Sequence, residues 1–282
     1  MHDGRLITVD SRPALRFERR YRQPIERVWR AVTEPEEMAK WFPAQVLGER
    51  AVGAALTFDD EVQRAAANEA GEPTRAEGPM FTGTVVTYDP PQVFAFTWGD
   101  ELLRLELMPD GDGTLLRFTQ VLSHQSVAAR NGAGWHMCLL ELDRLVEGAA
   151  EEPDAEADED FAIYHEYLDR MGPELGEVSD DGSVTWERAT HVDAAKVRDV
   201  LEDRGAWPAW GAGDHADEPV RWEVSEGDVG TLYRVTHEKI DGDAELAATW
   251  HALLAQLDMY LAAEVLIPVD AGRWLPGYRE LL

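Results

Sequence analysis

Two histidine–aspartate pairs carry the spacing that most suggests side-chain chemistry in this chain. His136 and Asp143 stand seven residues apart, and His251 and Asp258 repeat that interval. On a helix this is about 10.5 Å of rise, too far for a direct hydrogen bond, so neither pair forms a dyad. His136 and His251 are candidates for general acid–base work if their flank borders a cavity. A half-exposed helix histidine is the plainer reading. Arg104 and Arg117 are the other ionisable side chains a proton-moving cavity would use. There is no His-x-x-x-His, no cysteine pair, no glycine-rich phosphate loop and no Gly-x-Ser-x-Gly elbow, so no metal and no cofactor is expected. The single cysteine, Cys138, reads as a small buried hydrophobe rather than a nucleophile.

The element that must position these groups runs from Gly134 to Val146. Trp135, Cys138, Leu139, Leu142, Leu145 and Val146 recur at helical spacing, which predicts an amphipathic helix laid on an apolar surface. The pattern returns at Trp250-His251, with Leu254, Leu257 and Asp258 in register at an offset of 115. Two copies of one helix imply two copies of one fold.

In the first copy, Leu15, Phe17, Arg19 and Tyr21 alternate with polar residues as a strand with one wet face, after an arm at 1–12. Pro24 opens a helix carrying Ile25, Val28, Trp29 and Val32. Thr33-Glu34-Pro35-Glu36 has the spacing of a capping box for a short helix that ends at Trp41-Phe42-Pro43. Strands are expected at 54–62, 80–88, 92–98, 101–108 and 114–122, with a polar loop at 63–79 and a hairpin turn at Pro109-Asp110-Gly111-Asp112-Gly113. This order favours α+β, with an antiparallel sheet wrapped around a long last helix.

Phe17-Glu18-Arg19, Val28-Trp29, Trp41-Phe42, Phe81-Thr82-Gly83, Phe94-Ala95-Phe96-Thr97-Trp98, Gly113-Thr114 and Gly134-Trp135-His136 occur in the order and spacing of a known family. Together they resemble the SRPBCC (START/Bet v-like) helix-grip superfamily, in the branch named after activators of a chaperone ATPase. The resemblance covers about residues 14–147. It implies a hydrophobic cavity between sheet and last helix, of the kind that takes lipids, polyketides and other apolar molecules. Fold alone does not set the ligand.

The second copy is shorter. An acidic linker and a junction helix are expected at 148–182, the helix with Phe161, Tyr164, Leu168 and Met171 on one face. From 183 to 282 the first copy's features return: Trp186-Glu187-Arg188 for Phe17-Glu18-Arg19, Asp193 as a helix cap, Trp207-Pro208-Ala209-Trp210 for Trp41-Phe42-Pro43, and Gly230-Thr231 for Gly113-Thr114. The offset drops from 169 to 117 between Trp210 and Gly230, so 52 residues that hold the middle strands are missing. The reading is therefore two helix-grip domains, 14–147 and 183–282, the second with a reduced sheet. A helix held by so few strands needs another cover for its apolar face: the first domain, the tail from Val265, or a ligand.

The resulting expectation is a hydrophobic small-molecule binder with an elongated cavity opening at the domain junction, partly uncovered at Trp250. Its walls would be Trp41, Phe42, Phe81, Phe94, Phe96, Trp98, Phe118, Trp135, Cys138, Leu139 and Leu142 in the first copy. Trp207, Trp210, Trp222, Tyr233, Trp250, Leu254 and Leu257 would serve in the second. The resemblance extends to helix-grip proteins of polyketide and enediyne gene clusters, acting as carriers or in self-resistance. A polyketide cyclase or aromatase and a co-chaperone-like interaction module are the alternatives.

The chain of 282 residues has a formal net charge of −29, with −7 in residues 1–147 and −22 in the remainder. Phosphate backbones and anionic lipid surfaces would repel it, so neither nucleic acid nor membrane is an expected partner. No apolar run approaches membrane-spanning length and none follows the N-terminus, so a cytoplasmic protein is expected; its oligomeric state is left open, with a monomer slightly favoured.

Overall fold

The structure, a computed structural model, describes residues 4–59, 81–99, 101–148, 157–227 and 230–282. The expected loop at 63–79 and most of the acidic linker lie outside the described residues. The fold is α+β, and the chain divides into two compact units, one of residues 1–122 and 132–155, the other of 123–131 and 156–282.

The first unit carries an eight-stranded antiparallel sheet in the order β1-β2-β8-β7-β6-β5-β4-β3. Its strands are β1 (Arg5–Val9), β2 (Arg12–Tyr21), β3 (Gln45–Leu47), β4 (Ala55–Asp59), β5 (Phe81–Asp89), β6 (Val93–Trp98), β7 (Glu101–Asp110) and β8 (Gly113–Val121). The N-terminal arm is thus a strand, a correction to the reading of 1–12. It turns through Asp10 and Ser11, both at positive φ (48° and 65°), as a two-residue hairpin requires. The Asp-Ser pair carries a weaker turn signal than Asn-Gly, which is why periodicity alone passed over it.

Helix α1 (Ile25–Thr33) follows Pro24 and buries Val28, Trp29 and Val32. The capping box does not form. Thr33 closes α1 and its hydroxyl donates to the Trp29 carbonyl at 2.7 Å, while α2 (Pro35–Met38) starts after Glu34 with no side-chain cap. The long helix α3 (Ala128–Glu147) begins six residues before the expected start at Gly134, because Ala128-Ala129-Arg130-Asn131 continue its pattern.

The second unit has a four-stranded antiparallel sheet, β11-β12-β10-β9. In chain order come α4 (Ala157–Met171), β9 (Glu177–Val178), β10 (Val184–Thr190), α5 (Ala194–Glu202), a 3-10 turn (Arg204–Trp210), β11 (Val220–Gly227), β12 (Gly230–His237), α6 (Ala244–Ala263) and α7 (Leu275–Leu281). Asp193 caps α5 by accepting from the Ala195 amide at 2.7 Å. The hairpins β7–β8 and β11–β12 are equivalent, and so are β2 and β10. In both copies a glycine starts the second hairpin strand because a Cβ would strike a carbonyl: Tyr21 O at 2.1 Å from Gly113, Thr190 O at 2.6 Å from Gly230.

The reduced sheet does not leave α6 uncovered, which overturns the expectation of an open face at Trp250. Trp250, His251, Leu254 and Leu257 are all buried. Trp207 lies 5.9 Å from Trp250 and 5.3 Å from Trp210, and Trp222 lies 5.6 Å from Trp207. Trp207, Trp210 and Trp222 thus form an indole cluster against Trp250. On another side of α6, Trp274 and Tyr278 of the C-terminal segment close the helix. On a third, the Tyr164 hydroxyl of α4 reaches Ala255 O at 3.3 Å.

Candidate functional site

In the first unit the period of two along β6, β7 and β8 turns Phe94, Phe96 and Trp98, then Glu101, Leu103 and Leu105, then Leu116, Phe118 and Gln120 to the same side of the sheet. Trp135, Leu139 and Leu142 of α3 are buried there. Trp135 is the centre of an aromatic cluster, with ring centroids 4.6 Å from Phe118, 5.4 Å from Phe42 and 5.4 Å from Trp98. Phe42 also meets Trp98 at 5.1 Å and Phe58 at 6.1 Å. A polar relay runs through these rings. The Trp135 indole donates to Gln120 Oε1 at 2.7 Å, and Gln120 Nε2 donates to Glu101 Oε2 at 2.5 Å. Sequence reasoning missed Gln120 and Glu101, although the alternation that places Leu103 and Leu105 inward also places them inward.

A second feature ties strand to helix in each unit. Arg19, 1% exposed, donates from Nε to Asp143 Oδ2 at 3.1 Å, and the Tyr21 hydroxyl donates to Asp143 Oδ1 at 2.7 Å. In the second unit Arg188 Nε lies 3.5 Å from Asp258 Oδ2, and Tyr233 donates to Asp258 Oδ1. Burial, then the aspartate beside it, pushes each phenol well above its ordinary value, so both stay protonated donors. Burial raises the Asp258 carboxyl to about 6, with Arg188 pulling against that rise. The aspartates therefore partner a strand arginine and a tyrosine, not the histidine seven residues before them. Arg-to-Arg and Asp-to-Asp repeats were both visible in the sequence; the contact between them was not.

His136 is half-buried, but His251 is fully buried, against the expectation of a half-exposed residue. Its ring stacks on Trp274 at 4.2 Å and 13°. The Tyr278 hydroxyl accepts from the Gly176 amide at 2.7 Å and the Trp186 indole at 2.6 Å, which leaves its single proton for His251 Nδ1 at 3.0 Å. That fixes His251 as the Nε2–H tautomer. Burial, then the charge of Arg188, holds it well below the usual histidine range, so it stays neutral.

Trp250 has a different polar partner from its counterpart Trp135. Its indole donates to Glu218 Oε2 at 2.6 Å, where His237 Nε2 also lies at 2.9 Å, while His215 Nδ1 sits 2.7 Å from Oε1. His237 Nδ1 accepts from the Lys239 amide at 3.2 Å, so its Nε2 carries the proton donated to Glu218. Burial raises the Glu218 carboxyl, but the hydrogen bonds from Trp250, His215 and His237 outweigh this and hold it below its ordinary value.

Arg104 and Arg117 lie on the outer side of the sheet, with Glu106 at 3.1 Å and Glu18 at 3.2 Å, which corrects their placement in a cavity. Phe94, Phe96, Phe118, Trp41 and Phe42 are buried, as are Trp207, Trp210 and Tyr233, while Trp98, Cys138 and Trp222 are half-buried. The side chain of Phe81 lies outside the described residues. Ser126, Tyr164, Asp258 and their neighbours in the second unit enclose a cavity of about 10 Å³, room for about one water. Among the described residues no three His, Cys, Asp or Glu side chains gather as a metal site, and no helix is long and apolar enough to cross a membrane.

Burial pushes the Cys138 thiol up to about 12, which leaves almost no thiolate near neutrality. The native protein is therefore expected to react with Ellman's reagent at least about 100-fold more slowly than the unfolded chain. Comparable rates in buffer and in denaturant would contradict this burial.

Residues 22–147 match the family described as Activator of Hsp90 ATPase homolog 1-like protein. No curated protein matches the chain in sequence. Among solved structures, CalU16 from Micromonospora echinospora is similar at 20% identity, over 61% of this chain and 94% of that one, with a TM-score of 0.45. The protein encoded by gene BPP1335 from Bordetella parapertussis is similar at 25% identity, over 61% and 93%, with a TM-score of 0.43. A conserved protein of unknown function, EF2215 from Enterococcus faecalis, is similar at 20% identity, over 58% and 88%, with a TM-score of 0.43. Residues 22–147, somewhat less than half of the chain, are therefore similar to a family of the SRPBCC, helix-grip type.

Proposed function

We propose that the first unit binds an apolar small molecule of the polyketide or polyene type between its sheet and α3, and that the protein acts as a carrier or in self-resistance during secondary-metabolite biosynthesis. The observation that supports this most directly is the aromatic cluster around Trp135, which brings Phe42, Trp98 and Phe118 to one side chain. Helix-grip domains hold hydrophobic ligands in this position between sheet and helix. The rings lie against one another, so a ligand enters by parting Phe42 and Trp98 from Trp135. A flat conjugated ligand can replace those ring contacts with equivalent ones. Gln120 and Glu101 then offer polar contacts at the end of an otherwise apolar wall. Burial of apolar ligand surface would supply roughly 25 cal/mol per Å² before ordering costs. The placement of a ligand at Trp250 is dropped, because the indole cluster and the C-terminal segment already cover α6.

A neutral probe is the right test, since a chain of net charge −29 disfavours anionic ones. Titration with the methyl ester of a conjugated tetraene fatty acid is expected to quench tryptophan emission saturably. Trp135→Leu and Phe42→Leu should each weaken binding about tenfold, the loss of one good aromatic contact of about 1.4 kcal/mol, while melting stays cooperative. Absence of saturable binding by the unaltered protein, both to this probe and to Nile red, would remove the reading.

A further inference from the structure

We propose that the groove between β10 and α6 in the second unit is a peptide site, and that residues 265–282 are its displaceable ligand, held in cis by Trp274 and Tyr278. The groove is shaped for these two rings. Tyr278, 0% exposed, receives the Gly176 amide and the Trp186 indole and passes its proton to His251. Trp274 covers His251 face to face at 4.2 Å. Gly176 has to be glycine for this, because a Cβ there would come within 2.6 Å of Val184 Cγ1 and 2.7 Å of Trp186 Nε1.

The receptor side is built without the segment. Strand β10 pairs with β9 and β12, and α6 has the indole cluster and α4 on its other sides. The segment itself is fastened at few points. The chain leaves α6 through Glu264 at φ 57°, a conformation that a non-glycine residue seldom adopts. Val265 and Leu266, 39% and 40% exposed, then run over the surface. Beyond the two rings and buried Ile267, the fastenings among the described residues are one hydrogen bond, from the Val269 amide to Gln256 Oε1 at 2.9 Å, and two ion pairs, Arg273 with Asp169 at 2.5 Å and Arg279 with Glu245 at 3.6 Å. The Arg279–Glu245 pair is exposed on both sides, and pairs of this kind hold weakly and are screened by salt. In a chain of net charge −29, residues 265–282 carry two arginines against Asp270 and Glu280. A neutral segment with arginine at its rim suits an acidic receptor. A structured unit with a terminal segment fastened at a few separate points is an arrangement from which local opening can occur below the cost of global unfolding.

Two measurements test this. In native hydrogen exchange on the intact chain, the Tyr278 and Leu282 amides, which donate to Trp274 O and Tyr278 O, should exchange at least about 100-fold faster than amides at the centre of α6. Equal protection would make the segment part of one cooperative core and overturn the proposal. In the second, a specific protease site is inserted between Glu264 and Val265 and cut, and a fluorescent synthetic peptide of residues 265–282 is added. The nicked protein should take up the peptide in equal proportion, the intact protein should not, and a peptide carrying Trp274→Ala and Tyr278→Ala should bind at least about 30-fold more weakly. A nicked protein that excludes the peptide, or whose second unit loses cooperative melting once the segment leaves, would also overturn it.

Discussion

Asp258→Ala is expected to destabilise the second unit by about 3–5 kcal/mol near pH 7.5, the usual cost of stripping a buried ion pair of one member. Arg188 is 1% exposed, and its Nε and Nη2 already have no hydrogen-bond partner. Its charge is offset by Asp258 Oδ2 at 3.5 Å. The alanine variant also leaves the buried Tyr233 hydroxyl without its acceptor. Asp258→Asn should cost less, because the amide oxygen still accepts from Tyr233. This variant also isolates a pH effect. The carboxyl has a folded-state value of about 6 against about 3.9 in an unfolded chain, so the folded state binds the proton more tightly. Its contribution to stability is fully present below about pH 4 and is lost as pH rises through about 6. The difference between those two values is worth about 3 kcal/mol. Denaturant titrations at pH 4.5 and 7.5 would show it: relative to Asp258→Asn, the unaltered second unit should lose stability on going to the higher pH. An equal or opposite change would mean that Asp258 stays ionised throughout.

Trp207→Ala is expected to cost about 3–5 kcal/mol, the range for removing a large buried aromatic side chain. It should unfold the second unit first. Trp207 touches Trp210, Trp222 and Trp250 and lies under the Arg204 guanidinium at 4.9 Å. Its indole donates to Leu201 O at 3.1 Å. Trp207 is the ring that Trp210, Trp222 and Trp250 all meet, so its loss opens a cavity at the centre of that cluster. Calorimetry should show one transition moved down and one unmoved. A single transition, moved as a whole, would contradict the assignment of Trp207 to one unit.

The large elements were legible because their signals are local. The alternation Leu15-Phe17-Arg19-Tyr21 marked β2, and the Trp-His helix marked α3 and α6 through its own recurrence. The polar contacts were not legible, because each joins elements far apart in the chain. Arg19 and Asp143 are 124 residues apart, and nothing in either neighbourhood announces the other. Glu218 falls within the stretch where the two copies cease to align, so the repeat offered no counterpart for it. His251 read as half-exposed because one helix considered alone has a wet flank. Trp274 and Tyr278 cover that flank, in a tail that the sequence offered only as one of three possible covers.

The aspartate of the long helix receives a phenol in both units, but from different strands. Tyr21 lies on β2, two residues beyond Arg19. Tyr233 lies on β12, paired across the ladder with Arg188, and the residue matching Tyr21 is Thr190. The two halves are therefore not interchangeable strand by strand. A chimera with β10 in place of β2 would bring Asp143 an arginine and no phenol, since Leu116 occupies the place of Tyr233. The reciprocal chimera would crowd two phenols onto Asp258. The two copies thus meet one requirement by different routes, and exchanging these strands between them would break both.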